Sequence, residues 1–143
     1  MRILLIALAL STVVLGCKDA SPAAATETNE APAPIVEISV ESADKALQSG
    51  AVAFDANSER TRKKHGTVPG AVILTSSYKY DLAQLPEDKS KDLIFYCSST
   101  SCTASDSAAE RASTHGYENV HIMREGIKGW KEAGKATTEY PRS

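Results

Sequence analysis

Leu93-Ile94-Phe95-Tyr96-Cys97-Ser98-Ser99-Thr100-Ser101-Cys102-Thr103-Ala104-Ser105 runs from four consecutive large apolar residues, through small polar ones, into an alanine- and serine-rich segment. An apolar residue at every position of a short run marks a strand covered on both faces, as the central strands of parallel sheets are. The segment Thr103 to Thr114 reads as a helix. It is closed by His115-Gly116, a cation at the negative end of the dipole followed by a residue that accepts positive φ. A tight loop of small residues between such a strand and helix can turn backbone N–H groups inward while the helix adds its positive end, which makes an anion site. Cysteine in that place is expected to favour its thiolate, because helix N-termini and cationic surroundings lower a thiol pKa from about 8.5 to roughly 3.5–7.5.

Outward from this stretch, short apolar runs alternate with amphipathic ones, the pattern of an α/β domain whose sheet is mostly parallel. Further strands are predicted at Ile35 to Ile38, Ala51 to Phe54, Ala71 to Leu74 and Asn119 to Met123, which makes a central five-stranded sheet flanked by helices. The helices are predicted over Val40 to Leu47 (ended by Gly50), Ser58 to Lys64, part of Tyr78 to Leu85, and Ile127 to Ala133 (ended by Gly134). Ile127 and Trp130, three apart, read as the buried face of the last helix and not as a cofactor stack.

The N-terminal part is organised differently. Arg2 precedes an apolar and small run, Ile3 to Leu15, shorter than the roughly 20 residues of a spanning helix and suited to the core of a signal peptide. Val14-Leu15-Gly16-Cys17 resembles the bacterial lipobox, in which the cysteine is diacylated and becomes the new N-terminus. A secretory signal cut near Ala20 or within Ala23 to Ala25 is the alternative. The domain plan is therefore a lipoprotein signal peptide over 1–16, a disordered tether over 17–34 and a folded domain over 35–143. The tether contains Ala, Pro, Thr and Glu with no large apolar residue, so it cannot offset its ordering entropy; its root-mean-square span is roughly 20–25 Å. Two or more acyl chains hold a protein stably at a membrane, at about 0.8 kcal/mol per buried methylene. This places the domain in the periplasm with no membrane contact beyond its anchor. Lys18 follows Cys17 where an inner-membrane retention signal is usually read, which favours the outer membrane over the inner.

Several motifs in the folded part fall in the order and spacing of one family. Phe54-Asp55-Ala56-Asn57 carries a strand-ending aspartate, and His65-Gly66-Thr67-Val68-Pro69-Gly70-Ala71 a histidine and a Pro-Gly-Ala turn. Tyr96-Cys97 and Arg124-Glu125-Gly126-Ile127-Lys128-Gly129-Trp130 follow. Over about Ile35 to Tyr140 the chain resembles the rhodanese-like domains. That resemblance implies sulfane-sulfur transfer, with Cys97 as catalytic residue holding sulfur as a persulfide between a small donor and a thiol or similar acceptor. The loop Ser98, Ser99, Thr100, Ser101, Cys102 and Thr103 would cradle the outer sulfur through its amides, with the hydroxyls either as extra donors or merely as small side chains that permit the turn.

Departures from the family pattern bear on the substrate. Many active members have an arginine two residues after the strand-ending aspartate, or an arginine within or closing the loop, where this chain has Asn57 and Cys102-Thr103. Without those cations a dianion such as thiosulfate is held weakly, since charge-assisted hydrogen bonds are about twice as strong as neutral ones. The missing closing arginine also argues against phosphatase and arsenate-reductase chemistry. Asp55 reads as a residue that holds the loop connections. Arg124 reads either as a partial substitute for the missing cation or as a solvated strand-end residue. Cys102 either pairs with or resolves Cys97, or is a small semi-buried residue at the helix start. A thiol–disulfide or redox-sensing protein and a catalytically silent binding module remain alternatives to the sulfurtransferase.

A net charge of −2 with acids and bases interspersed provides no footprint for a nucleic-acid backbone. The charged run Arg60 to Lys64 reads as a solvated helix face. His65, His115 and His121 are scattered, and no zinc-finger spacing, phosphate loop, dinucleotide fingerprint or Gly-x-Ser-x-Gly elbow occurs, so no metal and no cofactor are predicted. Cys17→Ala should release the protein from membranes or block its processing. Membrane fractionation with mass spectrometry of the mature N-terminus checks this, and a wild-type protein that is soluble and lacks acyl chains refutes it.

Overall fold

The computed structural model describes residues 31–141. The apolar run, Cys17 and the segment through Glu30 lie outside the described residues. Ala31 to Pro34 has no regular secondary structure, but the Ala33 carbonyl accepts a 2.6 Å hydrogen bond from the Ser113 hydroxyl, so the chain is held against the domain just before its first strand.

The elements follow in the order β1 (Ile35–Ile38), α1 (Val40–Gln48), β2 (Val52–Asp55), α2 (Glu59–His65), β3 (Val72–Ile73), β4 (Asp92–Tyr96), α3 (Ala104–Thr114), β5 (Asn119–Met123) and α4 (Gly126–Glu132). All strand pairs are parallel and the sheet order is β1-β5-β4-β2-β3, with β4 at the centre. Leu93 and Phe95 point to one face and Ile94 and Tyr96 to the other, as the two-residue period of a strand requires. The first face is packed by Ala108, Ala109 and Ala112 of α3 and by Tyr80, Leu85 and Tyr117; the second by Val40 and Ala43 of α1 and Ile127 and Trp130 of α4. Small alanines on α3 let that helix lie close to the stacked Phe54 and Phe95 rings, whose centroids are 5.0 Å apart.

Helices that follow the adjacent strands β4 and β5 thus leave toward opposite faces. A crevice at the carboxyl ends of two strands whose connections diverge is where open α/β sheets bind ligands, and here it contains the loop that begins at Cys97.

Local boundaries differ from the sequence reading where side chains act as caps or ties. Ser58 is the N-cap of α2 and accepts from the Thr61 N–H, and Thr103 caps α3 without a side-chain bond. β3 is only two residues long, an edge strand entered from the Pro69-Gly70 turn. The helix predicted within Tyr78 to Leu85 is reduced to one 3₁₀ turn, Leu82–Gln84. Tyr80 there is buried with its hydroxyl on the Ala108 carbonyl, Gln84 is drawn to the Ile73 carbonyl and Thr75, and Pro86 follows. Tertiary anchoring prevails over helix propensity along that segment.

A buried polar knot joins β2 to β4 on the α1/α4 face. The Tyr96 hydroxyl donates to Asp55 Oδ2 at 2.7 Å and accepts from the Val68 N–H at 3.0 Å, and both side chains are fully buried. Burial, with the Asp55 carboxylate beside it, pushes the Tyr96 phenol far above its ordinary pKa, so it stays a donor. Tyr96→Phe leaves the Val68 amide and one carboxylate oxygen without partners, and should destabilise the fold by about 2–4 kcal/mol. Urea unfolding of wild type and variant checks this, and an unchanged midpoint refutes it.

Candidate active site

Cys97 begins the loop after β4, and its side chain is 2% exposed. Its backbone is fixed from the far side: Ile127 N–H donates to the Cys97 carbonyl at 2.9 Å and Lys128 N–H to the Ser98 carbonyl at 3.1 Å, so the first turn of α4 holds the start of the loop. That approach requires Gly126, which has φ +64° and at which a Cβ would lie 2.5 Å from the Cys97 carbonyl oxygen. From the other strand, Asp55 accepts from the Asn57 N–H at 2.7 Å and pairs with Arg62 at 3.4 Å, while Ala56 N–H donates to the Tyr96 carbonyl at 3.0 Å. Asp55 is fully buried and bonded to Tyr96, to the Asn57 amide and to Arg62.

The surroundings of the Cys97 sulfur differ from the expected ring of inward amides. Its S–H donates to the Cys102 carbonyl at 3.1 Å, and the sulfur shares a 3.3 Å hydrogen bond with the Ser105 hydroxyl. The Ser105 N–H is the backbone amide that favours its thiolate. Burial pushes the Cys97 thiol up, and its hydrogen bond to the Cys102 side chain adds to the rise, so the lowered pKa expected from a helix N-terminus alone is not what this site has. Cys102 moves the other way. Burial would raise it, but hydrogen bonds from the Cys97 thiol, from the Ser98 and Ala104 amides and from the Ser98 hydroxyl together lower it. The more acidic thiol of the loop is the half-buried Cys102.

The remaining loop residues divide by what they touch. Cys102 N–H donates to the Ser99 carbonyl at 2.9 Å, which closes the turn, and the Ser99 and Ser101 hydroxyls bond each other at 3.3 Å. Thr100, Ser101 and Thr103 are exposed. Of the loop hydroxyls only Ser98 is drawn to a sulfur, that of Cys102. Arg124 supplies no spare cation: it makes a bidentate pair with Asp106 at 2.8 and 2.9 Å and a further pair with Glu37 at 2.5 Å. The reading of a solvated strand-end residue is replaced by a partly buried ion-pair network between β1, β5 and α3. Arg62 is likewise committed, to Asp55 and the Asn57 carbonyl and, 5.1 Å from its centroid, to the Tyr140 ring. The Asn57 side-chain N–H₂, where many family members have arginine, is buried without a partner among the described residues. A surface groove along α2, lined by Glu59, Arg60, Lys63 and Lys64, does not include Cys97.

Ser105 was absent from the sequence-predicted site, though it belongs to the stretch that decides the fold. The available signal was a serine at the second position of a helix whose buried face is otherwise mostly alanine, where a hydroxyl needs a buried partner. A thiol held above its ordinary pKa stays protonated at neutral pH, and its alkylation accelerates only at higher pH; a thiol lowered from the same starting value has the larger thiolate fraction at any given pH. Time-resolved iodoacetamide labelling of the full chain with peptide mapping should therefore modify Cys102 ahead of Cys97 near pH 7, with the Cys97 rate climbing at higher pH than an ordinary thiol. Preferential labelling of Cys97 contradicts this.

Among solved structures, the chain shares its fold with the polysulfide-sulfur transferase homodimer of Wolinella succinogenes, at TM-score 0.60 and 18% identity over 76% of this chain and 81% of that one. A Bacillus halodurans protein matches at TM-score 0.59 and 18% identity, over 70% of this chain and 74% of that one. A Rhodopseudomonas palustris protein of unknown function, described as a possible tyrosine phosphatase, matches at TM-score 0.57 and 22% identity, over 72% and 84%. At such identities the likeness is one of fold. No curated protein sequence matches the chain. The family model for the rhodanese-like domain matches residues 39–133. That match runs from the N-cap of α1 to the end of α4 and encloses the whole Cys97 loop, and the chain belongs to the family of rhodanese-like domains.

Proposed function

We propose that the domain is a sulfurtransferase of rhodanese type, in which Cys97 accepts a sulfane sulfur from a small donor, holds it as a persulfide and passes it to a thiol acceptor. The observation that carries this reading is the placement of a buried cysteine at the first position of a loop between the central strand and α3, with the Ser105 hydroxyl at 3.3 Å. Cys97 enters the reaction as a thiol. Its proton is released to solvent as the Cys97 sulfur attacks the donor, and the donor's leaving group departs with the electron pair of the cleaved bond.

The donor follows from the charge around the site. Asn57, Cys102 and Thr103 stand where cations would hold a dianion, and the guanidiniums of Arg62 and Arg124 are committed elsewhere. A neutral or singly charged polysulfide or persulfide is the better fit. The same lack of a guanidinium speaks against a tetrahedral oxyanion substrate, although one fold relative is described as a possible phosphatase. The polysulfide-sulfur transferase among the fold relatives works on the donor class favoured here. With Cys17 acylated and the segment ahead of Ala33 as a tether, the domain would act in the periplasm.

Purified protein incubated with inorganic polysulfide should gain the mass of one sulfur on the peptide that holds Cys97, and should transfer it to a small thiol at least about tenfold faster than it transfers from thiosulfate, a difference of about 1.4 kcal/mol in binding the donor. Cys97→Ser should abolish transfer and keep the fold, because a hydroxyl fills the same place but carries no sulfane sulfur. No adduct and no transfer from either donor overturns the sulfurtransferase reading and leaves a silent binding module.

A further inference from the structure

Cys102 is placed as more than a spacer in the loop. Its carbonyl accepts the Cys97 S–H at 3.1 Å, which holds residue 102 beside the Cys97 sulfur. Its own N–H is fixed on the Ser99 carbonyl at 2.9 Å, a turn that folds residue 102 back over residue 97. Cys97 is 2% exposed while Cys102 is half-buried, so the second sulfur can exchange its proton and electrons with partners that cannot reach the first.

We propose that Cys102 is a resolving thiol: it attacks the Cys97 Sγ of the loaded persulfide, closes a Cys97–Cys102 disulfide and expels the outer sulfur as hydrosulfide. The inference rests on the persulfide reading above. In this step the Cys102 thiolate supplies the electron pair of the new Sγ–Sγ bond. The bond from Cys97 Sγ to the outer sulfur breaks, and its electron pair leaves with that sulfur, which carries its own proton away as HS⁻. The sulfane sulfur is reduced by two electrons and the two cysteines are oxidised by two. An external dithiol returns the loop to its starting state by thiol–disulfide exchange at the half-buried Cys102 sulfur.

Two physical reasons direct the attack to the inner sulfur. The Cys102 carbonyl already lies 3.1 Å from Cys97 Sγ in the unloaded site, so residue 102 sits beside the inner sulfur. Attack at the outer sulfur would have to expel the Cys97 thiolate, and a thiol whose burial holds its pKa up is a slow leaving group compared with the more acidic hydrogen sulfide. A thiol held in the same turn also outcompetes dilute external acceptors by its effective concentration. The site therefore turns a sulfane donor into sulfide at the expense of a dithiol whenever no acceptor reaches the outer sulfur first.

The test uses the reduced full chain, loaded with inorganic polysulfide, freed of excess donor and followed with time by sulfide release, intact mass and non-reducing peptide maps that separate Cys17 from the loop cysteines. Wild type should gain one sulfur, then lose it as one equivalent of sulfide while the single peptide that holds both Cys97 and Cys102 becomes two hydrogens lighter than its reduced form and no longer takes up an alkylating reagent. Cys102→Ser and Cys102→Ala should keep the sulfur on Cys97 and lose sulfide release altogether. A wild-type adduct that persists with Cys102 still open to alkylation, or equal sulfide release from the Cys102 variants, overturns this proposal and leaves the persulfide reading intact. An adduct on Cys102 that survives in Cys97→Ser, or no adduct at all, overturns both. The wild-type peptide map decides the matter even if the variants fold poorly.

Discussion

Tyr96, Asp55 and Val68 meet in a three-part hydrogen-bond chain that closes the carboxyl ends of β2 and β4, and the position of the reactive loop depends on it. A carboxylate with no exposure is tolerable only when its oxygens are bonded, and the Tyr96 hydroxyl, the Asn57 amide and Arg62 provide those bonds. The Tyr96 hydroxyl also accepts from Val68 just ahead of the Pro69-Gly70 turn, so one phenol ties the central strand, its neighbour and the segment leading to β3. Cys97 is the next residue along the chain. On the opposite side Gly126 lets α4 approach until its first amides bond the Cys97 and Ser98 carbonyls. The loop is thus held from both sides of β4, and its sulfur has little freedom beyond rotation of the side chain.

Electrostatics within that frame arise from competition between burial and dipoles. A helix N-terminus favours an anion, yet Cys97 is almost wholly covered and its nearest backbone oxygen is the Cys102 carbonyl, which prefers the proton to stay on sulfur. Cys102 is the more acidic of the two thiols, because hydrogen bonds from two backbone amides and the Ser98 hydroxyl lower its pKa. Cations that would enforce a thiolate at Cys97 are engaged in ion pairs: Arg124 with Asp106 and Glu37, Arg62 with Asp55. The site is a hydrogen-bonded pair of thiols with no uncommitted guanidinium from Arg62 or Arg124.

Much of this was legible along the chain. The unbroken Leu93-Ile94-Phe95-Tyr96 run implied a strand buried on both faces, and β4 is the centre of the parallel sheet. Motifs in family order, from Asp55 through Tyr96-Cys97 to Gly126 and Trp130, located the loop and its supports. Other features were hidden because they depend on partners distant in sequence. The residues near Tyr78 to Leu85 have the composition of a helix, but Tyr80 bonds a carbonyl of α3 and Gln84 one of β3, and these ties leave a single turn. Ser105 looked like one of several small helix residues until the fold turned it toward Cys97.

By itself the sequence determined the class of fold, the order of its elements and the place of the cysteine loop after the central strand, because periodicity and turn residues act over a few neighbours and survive without knowledge of the rest. Only the tertiary structure decided which sulfur is acidic, which arginines are available and which carbonyl faces Cys97. Those properties come from burial and from atoms brought together across tens of residues, Glu37 to Arg124 and Asp55 to Tyr96 among them, and no local pattern encodes the distance between such groups.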